Sequence, residues 1–330
     1  MKPLLVLEFV RHPDAVWNLP RHLVEDLRAG FPEVSFVSPA DQDEADLRLP
    51  EADVVFGWAV KPENFARASK LRWIQVTAAS VASLLFPELI ESPVLVTNGR
   101  GLHAVSMAEH ALGVLLGFAR KLHLARDAQR GRRWAQERLW AEPPAFGQLA
   151  GTTLGLVGFG AVGRAIAARA RPLGLEVIAV RRHPDPTPDP ADAQWGVERL
   201  SELLVRSDWV VLAVPLTAET RGLIGAPELA RMKPTAALVN LGRGALVDEV
   251  ALVRALESGR IAGAALDVFD REPLPDASPL WSIPQVLLTP HVSGIGPRLW
   301  ERATDLFRRN LEAFLTGRPL ENLVDKRAGY

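Results

Sequence analysis

Short apolar runs bounded by turn residues alternate along this chain with longer amphipathic or polar segments, and the alternation occurs twice. In the first stretch Leu4–Val10, Val34–Val37, Val54–Phe56, Trp73–Val76 and Val94–Thr97 have the length and composition of strands, with helical or polar segments such as Arg21–Arg28 between them. Strands separated by helices predict parallel pairing, because a parallel neighbour needs a crossover long enough to hold a helix. A long helical pattern then runs from about Ser106 to Gln129. Ser106 and Glu109 match the S-x-x-E capping box, the Ala- and Leu-rich run to Phe118 reads as buried, and the part from Arg120 on is basic. A loop rich in Trp, Pro and Gly follows, Trp134 to Gly147.

The pattern then restarts. Thr153–Val157, Glu176–Val180, Trp209–Val214, Ala237–Asn240, Ala264–Val268 and Val286–Leu288 read as strands, with Ala161–Arg171 and Leu200–Arg206 among the intervening helices. The stretch HPDPTPDP from His183 to Pro190 is too dense in proline for regular structure. Leu299–Leu315 reads as a final helix that crosses back to the first half. The prediction is an α/β protein of two Rossmann-like doubly wound parallel-sheet domains, the substrate domain discontinuous. Residues 1–103 plus 298–330 would form the substrate-binding domain and 104–297 the dinucleotide-binding domain.

Composition narrows the classes. The chain has 330 residues, 48% apolar and 23% charged, which suits two ordinary globular domains. A net charge of −1 gives no global field toward nucleic acid or an anionic membrane. The absence of cysteine excludes disulfides, zinc–thiolate sites and a Cys nucleophile, and fits a reducing compartment. The N-terminal apolar run is short, is interrupted by Glu8 and lacks a small-residue cleavage site, so it reads as a strand rather than a signal peptide. No apolar stretch has the length of a membrane span, which makes the cytoplasm the expected location. No His/Asp/Glu cluster has metal-ligand spacing, so no metal is expected. The basic run Ala119–Trp134 reads as a solvated helix face or dimer contact rather than a nucleic-acid patch, and most of the nine tryptophans as core or interface.

Three features carry chemistry. The first is Gly158-Phe159-Gly160-Ala161-Val162-Gly163, set between an apolar strand and an Ala-rich helix. Gly158 permits the tight turn, Gly160 lets a pyrophosphate approach the backbone, and Gly163 lets helix and strand pack closely, while the helix start offers free N–H groups and a positive dipole end. The second is the end of the next strand. Dinucleotide folds selective for NAD carry an acid there for the ribose hydroxyls, whereas this chain has Arg181 and Arg182. Guanidinium groups suit a 2′-phosphate, which predicts NADP preference over NAD. The third is a trio on three successive strand ends: Arg243, Glu272 and His291. In a parallel sheet these ends lie along one edge. Reduction of a ketone by hydride makes an alkoxide that needs a proton, for which His has the nearest pKa; a carboxylate beside it stabilises the imidazolium, and an Arg clamps a substrate carboxylate and polarises the carbonyl.

At these residues the sequence resembles the D-isomer-specific 2-hydroxyacid dehydrogenases. The matching segments are M-A-E-H-A-L (Met107–Leu112), G-F-G-A-V-G, V-P-L-T-A-E-T-R-G-L-I (Val214–Ile224), N-L-G-R-G-A-L-V-D-E (Asn240–Glu249), A-L-D-V-F (Ala265–Phe269), E-P-L-P (Glu272–Pro275) and T-P-H-V-S-G. The resemblance implies that His291 is the acid/base, that Glu272 pairs with it, and that Arg243 binds substrate carboxylate and carbonyl. It implies that Asp267 meets the nicotinamide amide and that Pro215, Leu216, Thr217, Thr220 and Leu241 line the cofactor. It further implies that the backbone of Ala78, Ala79 and Ser80 holds the substrate carboxylate, with Trp58 facing substrate, and that the chain forms a homodimer through about 106–150 with domains that close. Two departures matter: the Ala78–Ser80 loop is glycine-rich in many relatives, and the acid after the second cofactor strand is missing. Glu272 argues against the formate-oxidising branch, which has Gln there. The chain ends soon after its last helix, without the regulatory domain of longer phosphoglycerate dehydrogenases. The expected activity is therefore reduction of a small 2-oxo acid such as glyoxylate or hydroxypyruvate. The alternatives are a corepressor-like, dinucleotide-sensing interaction protein on the same fold, and oxidation of a non-carboxylate anion such as phosphite.

Overall fold

A computed structural model describes residues 3–141, 147–185 and 189–329. The chain divides into two units. One comprises the residues up to Leu102 together with those from Gly296 on, and the other runs from His103 to Ile295.

The first unit is built on β1 (Leu5–Phe9), β2 (Ser35–Val37), β3 (Val54–Gly57), β4 (Trp73–Gln75) and β5 (Leu95–Thr97), in the order β2-β1-β3-β4-β5 with parallel pairing throughout. Strand β1 is buried over its whole length, the signature of a strand covered on both faces. Leu5, Leu7, Val55 and Ile74 fill one face. On the other, Val6, Val54, Phe56 and Trp73 meet Phe307 and Leu311 of the helix Leu299–Leu315. Phe307 stacks between Phe56 and Trp73, with ring centroids 4.2 and 5.3 Å away. Polar groups lock the same contact. The Trp73 indole N–H donates to Thr97 Oγ1 (2.9 Å), and Gln75 Oε1 accepts from Thr97 (3.2 Å) and from Asn310 Nδ2 (2.8 Å). Buried polar side chains are tolerated when partnered in this way, and the network ties the last helix to a sheet whose strands lie more than 200 residues earlier.

The second unit carries β6 (Thr153–Val157), β7 (Glu176–Val180), β8 (Ala193–Trp195), β9 (Trp209–Leu212), β10 (Ala237–Asn240), β11 (Gly263–Leu266) and β12 (Val286–Leu288). Their order is β12-β11-β10-β9-β6-β7-β8, all parallel. The chain runs outward from β6 to β8, returns to β9 on the other side and continues to β12. The strand order thus reverses between β6 and β9, the switch point at which such sheets bind ligands. Helix Ala104–Ala119 packs on helix Ala161–Ala170 through Ala108, Ala111, Ile166, Ala167 and Ala170, all fully buried. Small side chains at this contact let the two backbones approach.

Several expectations change. Ser106 does not cap its helix: the helix begins at Ala104, so Ser106 lies inside the first turn and no side chain caps that end. The helix expected to run from Ser106 to Gln129 breaks at Lys121, whose backbone is left-handed (φ 52°), and restarts as Leu122–Arg130. The Lys121 side chain is buried and donates to the carbonyl of Leu139 (2.6 Å), a distant contact with no periodic signature. The loop expected over Trp134–Gly147 contains the helix Gln136–Ala141, and its residues 142–146 lie outside the described ones. Residues 186–188 of the Pro-rich stretch also lie outside them. The pattern does not announce β8, a three-residue edge strand. Among the described residues no helix is long and apolar enough to cross a membrane, and no group of His, Cys, Asp or Glu is placed to hold a metal ion.

The aromatic stack makes a quantitative expectation. Truncating Phe307 to Ala removes a fully buried ring, and should cost the first unit about 3–5 kcal/mol. Hydrogen exchange should localise the loss to that unit's sheet and the helix Leu299–Leu315, and unchanged protection there would show that the helix is not held by this contact.

Candidate active site

The glycine loop follows β6. Gly158 has φ +101°, a conformation open to glycine, and a Cβ there would stand 2.6 Å from the carbonyl oxygen of Ala213. At Gly163 a Cβ would collide with the Gly158 carbonyl, so the helix can approach the turn only without a side chain. At Gly160 the outcome is opposite: a Cβ would meet nothing within 4 Å, so the backbone faces open space. Helix Ala161–Ala170 starts immediately after, with no side-chain cap on its first N–H groups. An open face beside uncapped amides fits a pyrophosphate. Phe159 and Leu241 are buried in the core beneath, so what they offer a ligand is backbone, while Ala161 is exposed and Val162 half-buried against the core.

Arg181 and Arg182 follow β7, the strand beside β6. The Arg181 N–H donates to Trp195 O (3.0 Å), and Arg182 Nη2 lies 3.9 Å from Glu219 Oε2. Glu219 accepts from Thr217 Oγ1 (2.7 Å), and this hydrogen bond, with Arg182 contributing less, holds its carboxyl below the usual range. The segment after β9 closes on itself, because Thr220 Oγ1 donates to Pro215 O (2.7 Å) and accepts from the Thr217 N–H (2.7 Å).

Three further strands end in the polar trio. His291 Nδ1 and Glu272 Oε2 are 2.7 Å apart, and Glu272 Oε1 accepts the Phe269 N–H (3.0 Å). Glu272 is therefore held from below while its other oxygen orients the imidazole. Both side chains are partly exposed, as groups that meet a ligand must be. Arg243 sits on a turn after β10 and donates through Nη1 to Gly242 O (2.7 Å). The turn is closed by Asn240, a buried residue that donates to Arg243 O (2.9 Å) and accepts the Gly242 N–H (3.1 Å). Gly244, next in sequence, has no room for a Cβ, which would fall on the carbonyl group of Phe269. The Arg243 turn therefore rests on the segment that positions Glu272.

Asp267, after β11, is buried, and its carboxylate is engaged with the chain. Oδ1 accepts from Thr289 Oγ1 (2.6 Å) and the Val292 N–H (2.9 Å), and Oδ2 from the Ser293 N–H (3.0 Å). The sequence assigned no role to Asn240, Gly244 or Thr289. The detectable signal was a polar residue at the end of an apolar strand: Asn240 closes the buried β10, and Thr289 follows the half-buried β12. Trp58 and Ala78–Ser80 belong to the other unit. Trp58 follows β3, half-buried, its N–H on Phe9 O (2.9 Å). The 78–80 loop follows β4 and is pinned by the Gly99 N–H on Ala78 O (2.8 Å) and by Asn98 Nδ2 on Ala79 O (2.8 Å).

Residues 112–293 match the family model described as D-isomer specific 2-hydroxyacid dehydrogenase, NAD binding domain. The chain belongs to this family. It is accordingly an NAD(P)-dependent 2-hydroxyacid dehydrogenase of two parallel-sheet domains. It is 38% identical to a glyoxylate reductase of Thermococcus gammatolerans over 80% of this chain and 79% of that one. Among solved structures it is similar to a D-isomer specific 2-hydroxyacid dehydrogenase of Xanthobacter autotrophicus in complex with NADPH (31% identity, TM-score 0.82, both chains covered in full). It is likewise similar to an NADPH-dependent glyoxylate/hydroxypyruvate reductase of Sinorhizobium meliloti with NADP bound (27%, TM-score 0.81, both covered in full).

Gly244→Ala tests the coupling of the two segments. The added methyl must push the Arg243 turn off Phe269, and displacement by a fraction of an ångström to an ångström at a reacting centre costs about ten- to a hundredfold in rate. The variant should keep its circular-dichroism spectrum and lose at least about tenfold in kcat/KM; wild-type kinetics would show that the two segments move independently.

Proposed function

We propose that this dehydrogenase reduces a small 2-oxo acid of the glyoxylate or hydroxypyruvate type to the D-2-hydroxy acid, with NADPH as the preferred donor. The observation that carries the proposal is the 2.7 Å His291–Glu272 pair on the same sheet edge as the glycine loop. The bound dinucleotide supplies the hydride to the carbonyl carbon. As the carbonyl electron pair moves onto oxygen, His291 delivers a proton to it. Glu272 accepts a hydrogen bond from His291 Nδ1–H, leaving Nε2–H to face substrate, and it stabilises the imidazolium form. Arg243 pairs with the substrate carboxylate and polarises the carbonyl. Asp267 accepts three hydrogen bonds from the chain, and a carboxylate has about four lone-pair sites, so it retains capacity for a carboxamide N–H.

NADPH preference rests on Arg181 and Arg182 where an acid would serve NAD. Two of the similar structures hold NADPH or NADP, which supports this direction. The small substrate class rests on the chemistry of the trio and on the relatives named as glyoxylate reductases.

The deciding assay follows nicotinamide absorbance with glyoxylate, hydroxypyruvate, pyruvate and phenylpyruvate, each with NADPH and NADH. NADPH should be preferred by at least about tenfold in kcat/KM, a preference lost in an Arg181→Ala/Arg182→Ala variant. His291→Ala should lower kcat by about a hundred- to ten-thousandfold with cofactor binding intact. Faster turnover with NADH would overturn the donor preference. Cofactor binding without turnover of any 2-oxo acid would overturn the reductase assignment in favour of a dinucleotide-sensing role.

The same proposal includes a homodimer through 106–150. Trp134 is 90% and Trp140 65% exposed, and a groove of about 590 Å³ between the helices Leu122–Arg130 and Gln136–Ala141 is lined by Ala125, Ala128, Arg133, Trp134 and Leu139. Exposed tryptophans beside an apolar groove have the composition of an interface core. Sedimentation equilibrium should give twice the chain mass, and Trp134→Glu/Trp140→Glu should give the chain mass; a wild-type monomer at micromolar concentration would overturn the dimer.

A further inference from the structure

His291 stands on a backbone that needs support. Its φ is +53°, a left-handed conformation unfavourable for a non-glycine residue. Asp267 supports it through three bonds: its carbonyl accepts the His291 N–H (2.9 Å), which also reaches Thr289 O (3.0 Å), and its carboxylate accepts the N–H groups of Val292 and Ser293. Thr289 Oγ1 donates to the same carboxylate at 2.6 Å and braces its orientation.

The bracing reaches one residue further. His110 Nε2 lies 3.2 Å from Thr289 Oγ1. A hydroxyl has one proton, and here it points to the Asp267 carboxylate, which cannot donate when ionised. His110 must therefore donate from Nε2–H, and the direction of each bond in the chain is set: His110 to Thr289, Thr289 to Asp267. His110 belongs to a stripe on helix Ala104–Ala119 that tracks the catalytic loop. Gly117 lies against Leu287, His110 against Thr289, and His103, one position before the helix, holds Gly294 O through Nδ1 (2.9 Å). The three positions are seven residues apart, two helical turns, and so fall on one face. Gly294 fits tightly here, since a Cβ would lie 3.1 Å from His103 Nδ1.

We propose that His110 is a positioning residue for this reaction: through Thr289 it holds the Asp267 carboxylate in the orientation that keeps His291 in its left-handed, proton-delivering position. The proposal rests on His291 being the acid/base. It assigns to the helix a task in the chemistry beyond packing, and it predicts that loss of the donor at 110 slows proton delivery without weakening substrate binding.

The test compares His110→Phe, His110→Gln, Thr289→Val and the His110→Phe/Thr289→Val double variant, using the full chain at saturating NADPH and glyoxylate or whichever 2-oxo acid is turned over. His110→Phe and Thr289→Val should each lower kcat by about tenfold with KM for the acid within about twofold. His110→Gln, whose amide can donate from nearly the same place, should retain kcat within about twofold. The double variant should be no slower than either single, because both break one chain of bonds. Losses that multiply in the double variant, a full-rate His110→Phe, or a His110→Gln as slow as His110→Phe would each overturn the proposal. His291→Ala serves as the reference. If it abolishes turnover while the His110 variants are fast, the positioning role alone fails; if it remains active, the acid/base assignment fails and the positioning role with it.

Discussion

A buried carboxylate organises the catalytic edge. Asp267 is nearly inaccessible to water, where an uncompensated charge would cost several kcal/mol. It is stable there because a hydroxyl and two backbone amides converge on it, all from residues 289–293. The segment bearing His291 is thus built as the solvation shell of Asp267. The same segment carries the left-handed backbone of His291, its side chain on Glu272 and the close fit of Gly294 against His103.

The same economy of room governs the neighbouring turns. Parallel pairing brings the ends of β6, β7, β9, β10, β11 and β12 to one edge, so every turn that follows a strand competes for the same space. Glycine resolves the competition where backbones meet: Gly158 beneath Ala213, Gly163 against Gly158, Gly244 against Phe269. Gly160 is different in kind. It faces open space, and its lack of a side chain leaves that space to a ligand. The geometry thus agrees with the division of roles expected from the G-x-G-x-x-G spacing, with Gly158 and Gly163 crowded by backbone and Gly160 open.

In the five-stranded unit the decisive contact is between residues far apart in the chain. Phe307 enters between Phe56 and Trp73, and Asn310 donates to the Gln75 oxygen that also accepts from Thr97. An apolar ring and a polar amide one turn apart on the same helix secure it twice, by burial and by satisfaction of buried polar groups.

By itself the sequence determined the class of fold and which polar residues stand at its strand ends. Period and length of the apolar runs specify alternating strands and helices, since these report local backbone geometry. The glycine spacing, the arginines after β7 and the trio Arg243, Glu272 and His291 are legible because each is set by its own strand end. What the tertiary structure decided are the relations between segments. At the helix break the Lys121 side chain reaches a carbonyl at Leu139, β8 pairs with β7, and the helix starts at Ala104 rather than Ser106. The link from His110 through Thr289 to Asp267 joins residues 157 and 179 positions apart in steps no periodicity encodes. A hydrogen bond between distant side chains depends on where two backbones come to lie, and that is settled only when the sheet and its helices pack.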